Sequence, residues 1–385
     1  MMLQADICYC FTFILIILEC TSYVLTTKGT TFFPDRNNRI DQEFCSANML
    51  SSKGGKVLSS TAMRAVVVSK FGDESVLEVQ RNVPIPTVES GEVMVKVAAI
   101  GVNPVETYIR SGNYKMLPKL PYVPGNDISG TIVAIGANVT MFKEGDRVAS
   151  FMRVKSGAYA EYCAVHSDWL MPLPNDFDFR KGAAIGTPYF TAYKALFLKA
   201  NAKANDVLLV HGASGGVGMA ACQLAVSHGM KVFGTAGSKE GMDVVLQQGA
   251  ERAFNHKEKG YTDKILEATN GHGPDIIIEM LSNVNLNRDL EIVAPKGRIV
   301  IVGCRGTIEM NPRLIMGKES RVEGVALAVT TKEEFSEMNR AISARVKTGS
   351  INPCIGKEFS LNDVQRAHRE IISNSGSKGK MVLIV

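Results

Sequence analysis

None of the eight cysteines forms a CxxC pair: Cys8, Cys10, Cys20 and Cys45 lie in the first 62 residues, and Cys163, Cys222, Cys304 and Cys354 are scattered through the rest. The later four therefore read as reduced thiols of an intracellular protein, with neither a disulfide framework nor a structural zinc site. A concentrated basic stripe is missing too. The formal net charge is only +5, and residues 1 to 62 hold five Lys/Arg against five Asp/Glu, so the excess lies in the remaining chain. Such a mild excess suits an anionic small ligand in one pocket better than a nucleic-acid backbone. Near the N-terminus the apolar run "ICYCFTFILIIL", residues 7 to 18, falls short of the about 20 residues of a bilayer span. No Lys or Arg precedes Lys28 to give a signal peptide its positive leader. Residues 1–62 keep two readings: a signal- or anchor-like segment, the one route to a membrane, or an extension of uncertain expression before a start near Met49 or Met63. No internal repeat or low-complexity tract is present.

What is there is ample apolar material: 385 residues, 45% hydrophobic, enough for two domains with real cores. The stretch "MRAVVVSKFG" from Met63 reads as a first strand after the polar linker "SSKGGKVLSS". Residues 64 to about 165 carry short β-rich runs such as "EVMVKVAAIGV" and "SGTIVAIGANV", with little helical periodicity. From about 188, the strand-length runs "DVLLVHG", "KVFGTAG", "DIIIEM" and "GRIVIVG" alternate with helix-length segments, a pattern that builds a parallel sheet covered by helices on both faces. The last stretch returns to two helices and a closing strand, "KMVLIV".

The turn "HGASGGVGMA" leaves "VLLV" and opens a helix. Glycines there let backbone N–H groups and a positive helix end approach a pyrophosphate closely. The form is AxGxxG, with Ala213 in the first glycine's place and Gly215 and Gly218 supplying the other two. About 20 residues on, NAD enzymes hold an acidic residue for the ribose hydroxyls. Here Gly234, Thr235 and Ala236 stand at that place, with Ser238 and Lys239 following as donor and cation, which favours NADPH. The alternative is that Lys239 is a solvated loop residue, partly cancelled by Glu240.

With "GVNPVETYIRSGNY", "PYVPGNDISG", "GAAIGTPYFTAY", "VLLVHGASGGVG", "IIIEMLSNVNL" and "VGCRGTIEMNPR" in place, residues 63–385 resemble the zeta-crystallin-like quinone oxidoreductases of the medium-chain dehydrogenase/reductase superfamily. The resemblance implies an α/β chain with a GroES-like, mostly-β catalytic domain (63–187, completed by 330–385) and a Rossmann doubly wound parallel-sheet nucleotide-binding domain (188–329), with the site in the cleft between them. It implies a zinc-free enzyme, because the zinc alcohol dehydrogenases carry Gly-His-Glu where this chain has Gly125, Asn126 and Asp127. By similarity, Tyr108 should reach the nicotinamide region, and Ser214, Gly215, Gly216 and Val217 the pyrophosphate. Gly237 and His256 should take the adenosine half. Asn285, the run Val302, Gly303, Cys304 and Arg305, and then Val325, Ala326 and Leu327 should line the rest of the trough. Each has a duller rival: Tyr108 as a packed wall, His256 as a polar turn residue, Asn103 as a turn residue that never meets substrate. His211 and Cys222 read as structural.

The implied activity is NADPH-dependent one-electron reduction of ortho- and para-quinones to semiquinones. Reduction of an enone or enoyl thioester, with Tyr108 as proton donor, is the alternative on the same fold. A third reading is binding to AU-rich RNA, for which the sequence holds no motif. Relatives assemble as dimers or tetramers, so a homo-oligomer, a homotetramer at its largest, is expected. Dependence on NADPH argues for the cytoplasm.

Overall fold

The computed structural model describes residues 61–151, 156–373 and 378–385. The expectations for the N-terminal run fall on residues 1–60, outside the described residues. A hairpin of β1 (Ala62–Val67) and β2 (Glu78–Pro84) leads into β3 (Glu92–Gly101), α1 (Pro104–Arg110) and β4 (Asp127–Ile135). After β5 (Arg147–Ser150), β6 (Tyr162–His166) and β7 (Leu170–Pro172), the helix α2 (Phe179–Tyr193) crosses to the second half. One sheet runs β14-β15-β3-β4-β5-β7 with β6 also on β3, so that β14 (Ile355–Ser360) and β15 (Lys380–Ile384) return from the end of the chain. Its middle strand, β3, is apolar on both faces apart from Glu92 at its start and Lys96, as suits a strand flanked on both edges and covered by α2.

The second half is regular alternation: β8 (Val207–Val210), α3 (Gly216–Ser227), β9 (Lys231–Ala236), α4 (Lys239–Gln247), β10 (Arg252–Asn255), α5 (Tyr261–Ala268), β11 (Ile276–Glu279), α6 (Ser282–Ile292), β12 (Arg298–Ile301), α7 (Arg313–Lys318) and β13 (Arg321–Gly324). The six strands are parallel, in the order β10-β9-β8-β11-β12-β13. "VLLV" and the "III" before Glu279 are short apolar runs because helices cover both faces. The edge strands β10 ("RAFN") and β13 ("RVEG") are mixed in polarity; no apolar run marks them, and only pairing to a neighbour makes them strands. Two helices, α8 (Lys332–Lys347) and α9 (Val364–Ile372), precede and follow β14. Among the described residues no helix is long and apolar enough to cross a membrane.

The helix α2 is broken where the site needs it. Gly186 leaves helical geometry (φ −32°, ψ −110°) and Pro188 follows. Freed from the helical ladder, Thr187 N–H donates to the Asp127 carboxylate at 3.0 Å.

Candidate active site

The strand order reverses between β8 and β11, so the loops leaving their carboxyl ends diverge and open a crevice, the place where doubly wound sheets hold ligands. The cofactor candidates follow the carboxyl ends of the six strands: Ser214 to Gly218 after β8, Gly237 to Lys239 after β9, His256 after β10, Asn285 beyond β11, Val302 to Arg305 after β12, and Val325 to Leu327 after β13.

Within the glycine loop the residues do different jobs. A Cβ on Gly218 would lie 2.5 Å from the Gly212 carbonyl oxygen and 2.6 Å from Ala213 Cα, so that glycine lets α3 pack on its own loop. A Cβ on Gly216 would meet only Pro188 Cγ at 3.4 Å and Lys380 Cδ at 3.6 Å. Gly215 caps α3 in extended geometry, and Ala213 is fully buried. A Cβ on Gly237 would sit 2.8 Å from His256 Nε2, which brings these two candidates together. Ser238 caps α4, its hydroxyl accepting from Gly241 N–H at 3.2 Å, and the exposed Lys239 opens that helix. Gly303 N–H and Val302 N–H both donate to the Glu279 carbonyl, and Ser282 N–H donates to the Gly303 carbonyl at 3.0 Å, so the loops after β11 and β12 are zipped together. Cys304 is exposed; the Ser282 hydroxyl, with backbone groups of Gly306 and its neighbours, holds its thiol below the ordinary range. Arg305 N–H donates to Asn283 Oδ1 at 2.9 Å, and Val325 N–H to the Ile301 carbonyl at 3.1 Å. Cys222 is fully buried, and burial pushes its thiol up to about 12.

Opposite the loop lies a polar floor that the sequence left almost unread. Asp127, fully buried, accepts from the Thr187 hydroxyl at 2.7 Å and from Asn103 Nδ2 at 2.9 Å. Lys380, 5% exposed, donates to Asn103 Oδ1 and lies 3.4 Å from Asp127 Oδ2. Burial lowers this ammonium's pKa, and the Asp127 and Glu106 carboxylates oppose the shift. Its neighbour Gly379 donates its N–H to the Ser214 carbonyl at 3.1 Å, so the C-terminal strand enters against the glycine loop. Asn103 thus does more than start α1; its amide joins Asp127 to Lys380. Behind it, Glu106 accepts from Asn103 N–H at 2.8 Å and from the Tyr159 hydroxyl at 2.6 Å, while Tyr159 also meets His368 Nε2 at 3.0 Å. Burial pushes Glu106 up to about 7 and pushes the Tyr159 phenol far above its ordinary value. Tyr108, two residues beyond Glu106 on α1, is half-buried. A cavity of ≈ 700 Å³ adjoins this floor, with Val67, Ile109, Met116 and Leu117 on its apolar wall and Glu106 and Asn126 at its polar end.

Lys380, Asp127 and Thr187 stood outside the sequence candidates, and the structure links them to Asn103 in one hydrogen-bonded group. The signals available were faint: a lysine opening the apolar run "KMVLIV", and an acid beginning the strand "DISGTIVAI".

The family described as "Alcohol dehydrogenase GroES-like domain" matches residues 89–175, and "Zinc-binding dehydrogenase" matches residues 216–344. The chain is 51% identical to a quinone oxidoreductase of Rattus norvegicus over 84% of its own length and 98% of that protein. It is 50% identical to the quinone oxidoreductase of Homo sapiens over the same shares. A mycobacterial protein solved in complex with NADPH superposes with a TM-score of 0.76 at 28% identity, covering 84% of this chain and 100% of that one. The chain belongs to the quinone oxidoreductase family of the medium-chain dehydrogenase/reductase superfamily.

Proposed function

We propose that this protein is an NADPH-dependent quinone reductase that works without zinc. The observation that carries the reading is the alignment of the cofactor candidates from Ser214 to Leu327, all but Tyr108, along the carboxyl edge of one doubly wound sheet. The residues fit the dinucleotide: Gly216 leaves a glycine-sized opening toward Pro188 and Lys380, at the start of a 12-residue helix whose first N–H groups suit a pyrophosphate. Ser238 and Lys239 would take the 2′-phosphate, Gly237 and His256 the adenosine, and Asn285, Val302 to Arg305 and Val325 to Leu327 the remainder. Bound NADPH would supply the reducing electrons. The protein's own part is to orient a flat ring and keep water away: the apolar cavity beside Asn126, which Glu106 also lines, has room for a quinone, and by resemblance to the family Tyr108 and Asn103, the latter held by Asp127 and Lys380, would serve the reacting end. Asn126 in place of a histidine removes one ligand that a catalytic zinc would need. We also expect a catalytic part formed by 63–187 and 330–385, a nucleotide part formed by 188–329, a homo-oligomer of two or four chains, and work in the cytoplasm.

The test is NADPH oxidation by the full chain with an ortho-quinone and a 2-enoyl thioester side by side, repeated with NADH and with Lys239→Glu. Quinone turnover is expected, with a preference for NADPH that falls about tenfold or more in the variant, since one cation–phosphate contact is lost and a like charge is placed there. Turnover with the thioester alone would move the protein to the alkene reductases. No turnover while NADPH still binds would leave a binding role.

A further inference from the structure

Beneath the glycine loop, three buried ionisable side chains remain that the reading above does not use. His211 follows β8, Glu279 ends β11 and Asp289 comes from α6; they are 2%, 0% and 0% exposed, and one ligand atom from each lies within 4.8 Å of the others. His211 Nε2 is 2.8 Å from Asp289 Oδ1 and 3.6 Å from Glu279 Oε2. Its Nδ1 meets the Thr235 hydroxyl at 3.3 Å, and that oxygen accepts from Gly212 N–H at 3.2 Å. Glu279 Oε1 accepts from Leu281 N–H and, at 3.2 Å, from Asn285 Nδ2. The second oxygens, Glu279 Oε2 and Asp289 Oδ2, find no donor among the described residues.

Two buried carboxyl groups in contact, each with an oxygen lacking a donor, cannot both be ionised without a large desolvation and repulsion cost. A proton held by Glu279 and donated to Asp289 satisfies both. A metal ion would need the His211 Nε2 lone pair; against the effect of burial, the Asp289 carboxylate at 2.8 Å and Glu279 beyond it raise the His211 pKa and so favour a proton on the ring.

We propose that Glu279 holds a proton that it donates to Asp289, and that this proton ties the glycine loop to β9 and to the loops after β11 and β12, which makes Glu279 a positioning residue for dinucleotide binding. The proposal rests on the NADPH reading above. Through its Oε1 and its backbone carbonyl, Glu279 holds Leu281, Asn285, Val302 and Gly303; through His211 and Thr235 the same cluster holds Gly212. Loss of the proton would set two negative charges against each other where β8 and β11 diverge, and the trough would loosen. The other groups facing the cluster are Tyr261 of α5, whose ring stands edge-on to His211 at 6.5 Å, Arg288 of α6, and His256 beyond β10. Burial raises Glu279 to about 7, His211 pulling it down and Asp289 pushing it up. The proton is therefore lost around neutrality.

The experiment is a fluorescence titration of the full chain with NADPH and with NADH, which lacks the titrating 2′-phosphate, comparing wild type with Glu279→Gln. The glutamine amide reproduces the protonated acid: its oxygen accepts from Leu281 and Asn285, and its NH2 donates to Asp289. Between about pH 6.5 and about pH 8.5 the wild-type Kd for both dinucleotides should rise about tenfold, while Glu279→Gln keeps the low-pH affinity throughout. The thermal midpoint of the ligand-free protein should lose a matching part of its pH dependence in the variant. A flat wild-type profile, an unchanged slope in Glu279→Gln, a variant that binds weakly at every pH, or a stoichiometric metal ion in wild type that the variant lacks would each overturn the proposal. Should Glu279→Gln not fold, Asp289→Asn is the second variant, its amide donating to Glu279 while its oxygen accepts from His211. If neither dinucleotide binds at any pH, the functional reading fails, and the ligand-free midpoint still decides whether Glu279 holds the proton.

Discussion

Tyr159 shows how much one buried hydroxyl can hold. Its ring is fully buried and fills the space that a side chain at Gly125 (φ +95°) would need, and its oxygen joins Glu106 to His368. Burial, with a smaller contribution from Arg110, lowers His368 to about 3, so its ring is neutral at any ordinary pH. Tyr159→Phe keeps the ring and removes the link, leaving buried polar atoms of Glu106 and His368 short of a partner. A loss of about 1–3 kcal/mol is expected by denaturant titration, with an unchanged denaturant slope. None of this network was legible in "GAYAEY". The residues that the sequence did single out, Ser214 to Gly218 and Ser238 with Lys239, sit in local patterns of turn, cap and helix start, where the neighbours that shape them are adjacent in sequence.

At the scale of the element, the glycine loop and α3 separate packing from binding. Gly218→Ala would force a methyl group to 2.5 Å from a backbone oxygen, so about 1–3 kcal/mol should be lost and the melting midpoint should fall. Gly216→Ala lies in the first turn of α3 with no contact closer than 3.4 Å, and alanine favours a helix over glycine. That variant should melt no lower than wild type and yet bind NADPH several-fold more weakly, because its methyl would occupy the opening. Calorimetry and ligand titration on both variants check the division. The glycine pattern alone implied only that something comes close. For Gly218 the approaching group is the chain's own backbone, a distinction that requires the packed strand and helix. The same limit hid β10 and β13, whose sequences carry no strand signal of their own.

At the scale of the whole molecule, two buried carboxyls set a pH dependence. Glu106 and Glu279 are both raised from 4.5 to about 7, chiefly by burial. The unfolded chain releases these protons near 4.5 and the folded one near 7, so their contribution is fully present below 4.5 and is lost as pH rises toward 7. Each group can change stability by up to about 1.4 kcal/mol per pH unit in that window. Asp73, Glu74, Asp178, Glu334 and Glu370 are shifted the other way, mainly by hydrogen bonds to Ser75 and to Arg or Lys partners. Their support fades as pH falls through their lowered values and is small at the exposed positions. The melting midpoint should therefore peak near about pH 5 and decline toward about pH 7.5. Glu106→Gln and Glu279→Gln should each flatten part of that decline.

The sequence by itself determined the two kinds of sheet, the order of strands and helices through most of the second half, and the glycine turn that opens α3. Those features are carried by periodicity and by residues a few positions apart, and local physics suffices to read them. Only the tertiary structure decided which polar groups are buried and what they meet. Lys380 reaches Asn103 across 277 residues of chain, and His211 reaches Asp289 across 78. Contacts of that separation leave no period in the sequence. Their energetics depend on desolvation, which exists only once the strands and helices around them have closed.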